Sequence, residues 1–227
     1  MRLRQLILSA ALALGALGAA GQTHYKPHIS IGGRAGVSMA EMSFSPSVKQ
    51  SWNLASTGAF TFRYTEEKLF GFIAELGWCQ RGWRENYEEL PFSYSRTLTY
   101  LQLPVLTHIY FGSPRAKAFI NLGPQIDFLV GSSISANFDY RNTAAIPDYP
   151  KTRQTEQLYA DVSNKFDYGI SASAGGEFYI SPRNSLVLEA RFYFGLGNIF
   201  PASKADTFSA SRNMSLEFTL GYNFRLK

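Results

Sequence analysis

In the strand-like segments between His28 and the C-terminus, most cleanly in the later ones, apolar side chains recur at every second residue and charges fall on the positions between them. A repeat of two belongs to a β-strand with chemically different faces; a helix would repeat near 3.6. Met214, Leu216, Phe218, Leu220, Tyr222 and Phe224 share one face, opposite Ser215, Glu217, Thr219, Gly221 and Asn223. Leu186, Leu188, Ala190, Phe192, Phe194 and Leu196 oppose Val187, Glu189, Arg191, Tyr193 and Gly195 in the same way. None of the residues assigned to the apolar face carries a charge.

The pattern yields eight strands, at residues 28–39, 51–64, 69–84, 96–111, 116–132, 165–180, 185–198 and 212–224. Most exceed the usual globular strand and reach the roughly 9 to 11 residues that cross a bilayer at a tilt. Their connections alternate. Residues 65–68, 112–115 and 181–184 are tight turns with Gly-Ser-Pro and Ser-Pro-Arg-Asn signals, while 40–50, 85–95, 133–164 and 199–211 are long. That rhythm predicts an all-β, antiparallel up-and-down transmembrane barrel with short periplasmic turns and long extracellular loops. The segment 133–164 holds Asp139, Tyr140, Arg141, Asp148, Tyr149, Lys151 and Arg153 and reads as having no apolar core of its own.

Residues 1–22 place Arg2 and Arg4 before an apolar run and then small residues, the layout of a cleaved secretory signal peptide, leaving 23–227 as the barrel domain. Without Arg2 and Arg4 the 22 basic residues become 20 against 17 acidic, a balance that gives no footprint for nucleic acid. The only cysteine, Cys79, excludes an internal disulfide. Beyond the leader no apolar run is long enough for a transmembrane helix, so a membrane would be crossed by strands and the expected location is the outer membrane.

The charged face then becomes an interior. It gathers Arg34, Arg63, Arg81, Lys117 and Arg191 with Glu75, Asp127, Asp167, Glu177, Glu189 and Glu217. An eight-stranded barrel is just wide enough for its side chains to fill, so these groups are expected to pair into a plug rather than line a wide pore. A narrow ion path through them is the alternative. Aromatic residues near strand ends, including Phe70, Trp78, Tyr222 and Phe224, suit interfacial girdles.

Several segments carry a resemblance: IGGRAGVS at 31–38, FIAELGWCQRG at 72–82, YLQLP at 100–104, FINLGPQIDF at 119–128, FDYGISASAGGEF at 166–178, EARFYFGLGN at 189–198 and SLEFTLGYNF at 215–224. In order and spacing the chain resembles the PorT-like outer-membrane β-barrel family of Gram-negative bacteria. The resemblance implies insertion into outer-membrane lipid by the barrel-assembly machinery, with Tyr222 and Phe224 as the assembly signal, although Arg225, Leu226 and Lys227 follow Phe224. It implies no assigned activity for most members, and one branch takes part in secretion.

Catalytic chemistry is not expected. His24 and His28 lie near the mature N-terminus and His108 near the periplasmic end of a strand, away from the extracellular rim where a histidine would need its nucleophile within hydrogen-bond reach. His24 and His28 lack further ligands for a metal, and no cofactor motif is present. Glu85, Glu88 and Glu89 with Trp83 and Tyr87 read as a solvated acidic loop. The leading expectation is a non-enzymatic outer-membrane barrel whose loops contact ligands or an extracellular or envelope protein. Its rivals are a component of a secretion or envelope assembly and a soluble exported lipocalin-like carrier, which requires an apolar interior.

Overall fold

The computed structural model describes residues 27–66, 69–204 and 206–226. The signal-peptide reading of 1–22, His24 and part of the turn at 65–68 lie outside these residues. The strands are β1 (His28–Ser45), β2 (Gln50–Ser51), β3 (Asn53–Thr65), β4 (Phe70–Glu85), β5 (Tyr94–Gly112), β6 (Ala116–Ala136), β7 (Phe166–Tyr179), β8 (Asn184–Gly195) and β9 (Ala210–Arg225). β2 is a two-residue pairing on the end of β4. The other eight each pair antiparallel with their sequence neighbours, and β1 closes the ring on β9 from Ser30 opposite Arg225 to Ser45 opposite Ala210.

Closure leaves these eight strands without a free edge, the condition for spanning a bilayer with strands. Along β4, Phe72, Ala74, Leu76 and Trp78 are exposed while Gly71, Ile73, Glu75, Gly77 and Cys79 are buried. The same alternation runs around the ring. Large apolar side chains such as Phe60, Ile120, Ile170, Leu188 and Leu220 stand outward, while Arg34, Arg81, Asp127, Glu217 and Arg191 are buried. Such a distribution overturns the lipocalin-like alternative, because the interior is charged and the apolar face is outside.

The strands outrun the apolar band. β1 continues to Ser45 rather than ending at Met39, β6 to Ala136 rather than Ser132, and the strand expected at 185–198 stops at Gly195. Beyond Met39 the chemistry of the faces inverts: Met42 and Phe44 point inward and are buried, while Glu41 and Ser43 face outward. The pattern that marks a membrane strand therefore disappears although the pairing with β9 persists.

At the opposite end the turns are short. Gly112 takes φ +137°, a conformation open to glycine, and the turn closes as Ser113 N–H donates to Ala116 O at 2.8 Å. The segment between β6 and β7 holds a single 3-10 turn, Thr143–Ala145, and the one-turn helix α1, Glu156–Tyr159.

Candidate functional site

Two layers fill the barrel, an ionic layer within the membrane span and an aromatic layer above it. In the ionic layer Glu75 on β4 is the shared counter-ion of two arginines, accepting from Arg34 Nη2 at 2.9 Å and from Arg191 Nη1 at 2.6 Å. Arg34 also donates to Glu217 at 3.2 Å, and Arg191 to Glu189 at 2.8 Å. Arg81 donates to Asp127 at 2.7 Å and lies 3.7 Å from Glu217. Arg63 pairs with Glu177 at 2.7 Å, and Ser185 donates to the same carboxylate at 2.6 Å.

Two of the eleven charged positions depart from simple pairing. Asp167 is held by neutral donors, Asn213 Nδ2 at 2.8 Å and Tyr193 Oη at 3.1 Å. Lys117 is half-buried, and its Nζ lies over the rings of Tyr110 at 4.4 Å and Tyr179 at 5.1 Å, with no salt bridge among the described residues. Cation–π contact replaces the carboxylate there.

Neutral polar residues complete the layer. Thr57 donates to Glu217 at 3.0 Å, Gln125 to Asp127 at 2.8 Å, and Asn121 to Ser173 at 2.9 Å. Each lies on the inward parity of its strand, so the alternation could have nominated them. A void of about 20 Å³ between Arg34, Arg63, Glu75, Asn121 and Glu189 has room for about one water. Small residues make the packing close: a Cβ on Gly175 would lie 2.5 Å from the Phe119 ring, and one on Gly169 would lie 2.9 Å from the Tyr193 ring.

Above this layer Met42, Phe44, Trp83, Tyr94, Leu98 and Tyr100 from the strands pack with Tyr149, Leu158, Ile199, Phe200 and Phe208 from the loops. The long segment after β6 thus has no core of its own but contributes Tyr149 and Leu158 to an apolar core that it shares with the strand ends and another loop. Tyr94 Oη donates to Leu158 O at 2.7 Å and Arg96 Nη1 to Ala160 O at 2.6 Å, tying the segment across the mouth.

The expected solvated acidic loop is corrected. Trp83, Glu85 and Tyr87 are buried beneath that segment. Glu85 accepts from Arg153 Nη2 at 2.9 Å and Gln157 Nε2 at 3.0 Å. Burial nevertheless pushes its carboxyl above the ordinary carboxylate range, outweighing those two donors. Glu88 remains outside and pairs with Lys49 at 2.9 Å.

The two described histidines, His28 and His108, belong to the opposite half of the barrel. His108 Nδ1 is 2.7 Å from Asn121 Oδ1 and its ring stacks on Tyr110, while His28 is buried at the start of β1. No cluster of three or more His, Cys, Asp or Glu able to hold a metal occurs among the described residues. Tyr222 stands on the exposed face of β9, its hydroxyl hydrogen-bonded to Asn184, and Phe224 pairs in register with Ile31 and Asn184.

A closed eight-stranded ring, apolar outside and ionic inside, with short turns at one end and folded loops at the other, defines an integral outer-membrane β-barrel protein. The chain belongs to the outer membrane protein beta-barrel domain family, which matches residues 21–201, and it resides in the outer membrane. Similar solved structures include Neisserial surface protein A, at 11% identity and TM-score 0.46, covering 88% of this chain and 99% of that one. The outer membrane protein OprG from Pseudomonas aeruginosa is similar at 10% identity and TM-score 0.46, covering 88% and 95%. A major outer membrane protein from Thermus thermophilus reaches 13% identity and TM-score 0.45, covering 89% and 100%. The comparison with curated proteins gave no match.

Proposed function

We propose that the protein is a non-enzymatic, non-conducting barrel that presents a rigid extracellular cap to a ligand or protein partner, as a PorT-like member. The observation that carries this reading is the docking of the segment 137–165 into the mouth, with Leu158 fully buried and bound through Tyr94. A loop held in this way has little ordering entropy left to lose when a partner binds. The ion-paired lumen supports the absence of conduction, and the distance of His28 and His108 from the cap supports the absence of hydrolytic chemistry. Planar-bilayer recording of the purified protein tests the proposal. The expected record is free of channel steps, and large, regular openings would overturn it.

A role in an envelope or secretion assembly is a second reading, favoured by Trp52, Leu90 and Tyr159, which remain exposed outside the apolar band. Exposed aromatic and aliphatic side chains of this kind anchor protein interfaces. Cross-linking in whole cells tests it, with a specific envelope partner expected for the native chain and lost on Tyr159→Ala. Insertion is proposed to follow export through residues 1–22 and recognition of Tyr222 and Phe224 by the barrel-assembly machinery.

A further inference from the structure

Charge is distributed unevenly between the two ends of the barrel. Residues 40–53, 84–96, 137–165 and 196–212, at the end with the long loops, hold nine basic and nine acidic side chains, a balance. At the end with the short turns, the described residues include Arg63, Arg115, Lys117, Arg183 and Arg225 against Glu66 and Glu177. The excess of cations therefore lies on the periplasmic side.

Arg63, Lys117 and Arg225 have the inward parity of their strands, so they face the mouth rather than lipid. The carboxylate that meets them there is already occupied: Glu177 accepts from Arg63 Nη1 on one oxygen at 2.7 Å and from Ser185 Oγ on the other at 2.6 Å. Lys117 is the register partner of Glu177, yet its Nζ stands over the Tyr110 and Tyr179 rings instead. Arg225 lies over the same Tyr179 ring, its guanidinium carbon 5.7 Å from the centre. Both Arg63 and Arg225 repel Lys117. A ring face compensates part of a cation's charge but leaves its N–H donors without an oxygen acceptor. The Nε atoms of Arg63 and Arg225 are likewise buried with no acceptor among the described residues.

We propose that this mouth is a binding site for a phosphate dianion, free or as the terminal group of a monoester, held by Lys117 and Arg225 with the charge of Arg63 beneath. Three cations against the single carboxylate of Glu177 leave two positive charges to be met. A phosphate monoester brings close to two negative charges and three acceptor oxygens in one group. A further carboxylate would bring one charge. Guanidinium and ammonium donors form their strongest hydrogen bonds with such oxyanions. Arg115 and Arg183, exposed on the adjoining turns, extend the positive field that draws an anion towards the mouth.

The test uses the full-length chain refolded in dodecyl maltoside, a detergent without charge or phosphate, at low ionic strength. Isothermal titration with glycerol phosphate is expected to show one site per chain that weakens as salt is raised. Lys117→Gln and Arg225→Gln are each expected to weaken binding by about tenfold or more. Arg225→Lys, which keeps the charge, should bind more tightly than Arg225→Gln, and Lys204→Gln, at the other end, should bind as the wild type does. Heat-modifiable migration reports folding separately, and if Arg225→Gln fails to fold, Lys117→Gln decides. The absence of saturable binding up to about 10 mM glycerol phosphate overturns the proposal, as do two variants that bind as tightly as the wild type. A chain that ignores glycerol phosphate but retains phosphatidylglycerol in native mass spectrometry, or takes up a polyglutamate peptide, overturns it too, assigning the mouth to a lipid headgroup or to an acidic segment.

Discussion

Arg81 lies with its guanidinium carbon 3.9 Å from the centre of the Tyr193 ring, so the cation is held on an aromatic face as well as by carboxylates. Asp127 binds its Nη1 at 2.7 Å and Ser215 accepts from its Nε at 3.1 Å. Replacing Arg81 by Met strips Asp127 of its ion pair and Glu217 of a nearby cation in a buried site, a loss of about 3–5 kcal/mol. Urea unfolding of the protein refolded in micelles measures it. Arg81→Lys should recover part of that loss, since it keeps the charge without the planar fork.

Gly175→Ala introduces a methyl group 2.2 Å from Leu188 O and 2.5 Å from the Phe119 ring. Overpacking of this kind costs about 1–3 kcal/mol. Equilibrium unfolding should show the loss, and Phe119→Leu in the same chain should restore part of it by vacating the space.

Leu158→Ala empties a fully buried position in the cap while leaving the membrane wall untouched. About 2–5 kcal/mol of packing is lost there. The expected outcome is local: trypsin cuts at Lys151 and Arg153 faster in intact cells or vesicles, while the unfolding midpoint of the barrel changes little. A barrel that unfolds in parallel with the loop would contradict two independent layers.

The raised affinity of Glu85 for its proton sets a pH dependence for the cap. The closed cap binds more protons than the open one between the ordinary carboxylate range and the raised value. Closure is therefore strengthened as pH falls through that window and weakened as pH rises through it, since the ionised carboxyl must then be buried beside Arg153 and Gln157. Hydrogen exchange of residues 137–165, corrected for intrinsic rates, should slow towards acid. Glu85→Gln should flatten the profile.

Phe224→Ala tests the assembly reading directly. The variant should accumulate less heat-modifiable, surface-exposed protein in cells, while refolding in detergent proceeds as in the native chain.

The wall was legible because lipid and lumen impose opposite chemistries on alternate positions. Glu75, Cys79 and Arg81 already stand on one parity in the sequence, and Arg34, Arg191 and Glu217 follow the same rule on other strands. The partners within the lumen were not legible, because Arg34 meets Glu75 across 41 residues and Glu217 across 183, separations that only ring closure brings together. Asp167 bound by neutral donors and Lys117 on aromatic rings escaped for the same reason.

The cap escaped for a different one. Trp83, Met42 and Phe44 extend the inward parity of their strands, but beyond the bilayer that parity turns from charged to apolar. Leu158 and Tyr149 sit in a segment without periodicity, where tertiary packing decides their burial.

Ring closure itself can be viewed as a latch. Arg34 on β1 reaches Glu75 on β4 and Glu217 on β9, so one side chain ties the first strand to the last across the final seam. Until β1 and β9 zip together, Glu217 has lost Arg34 and the lumen is open to water. Glu75 lies with Arg34 on one side of that seam, but its second arginine, Arg191 on β8, comes from the other, so the ionic layer is complete only once the ring is sealed.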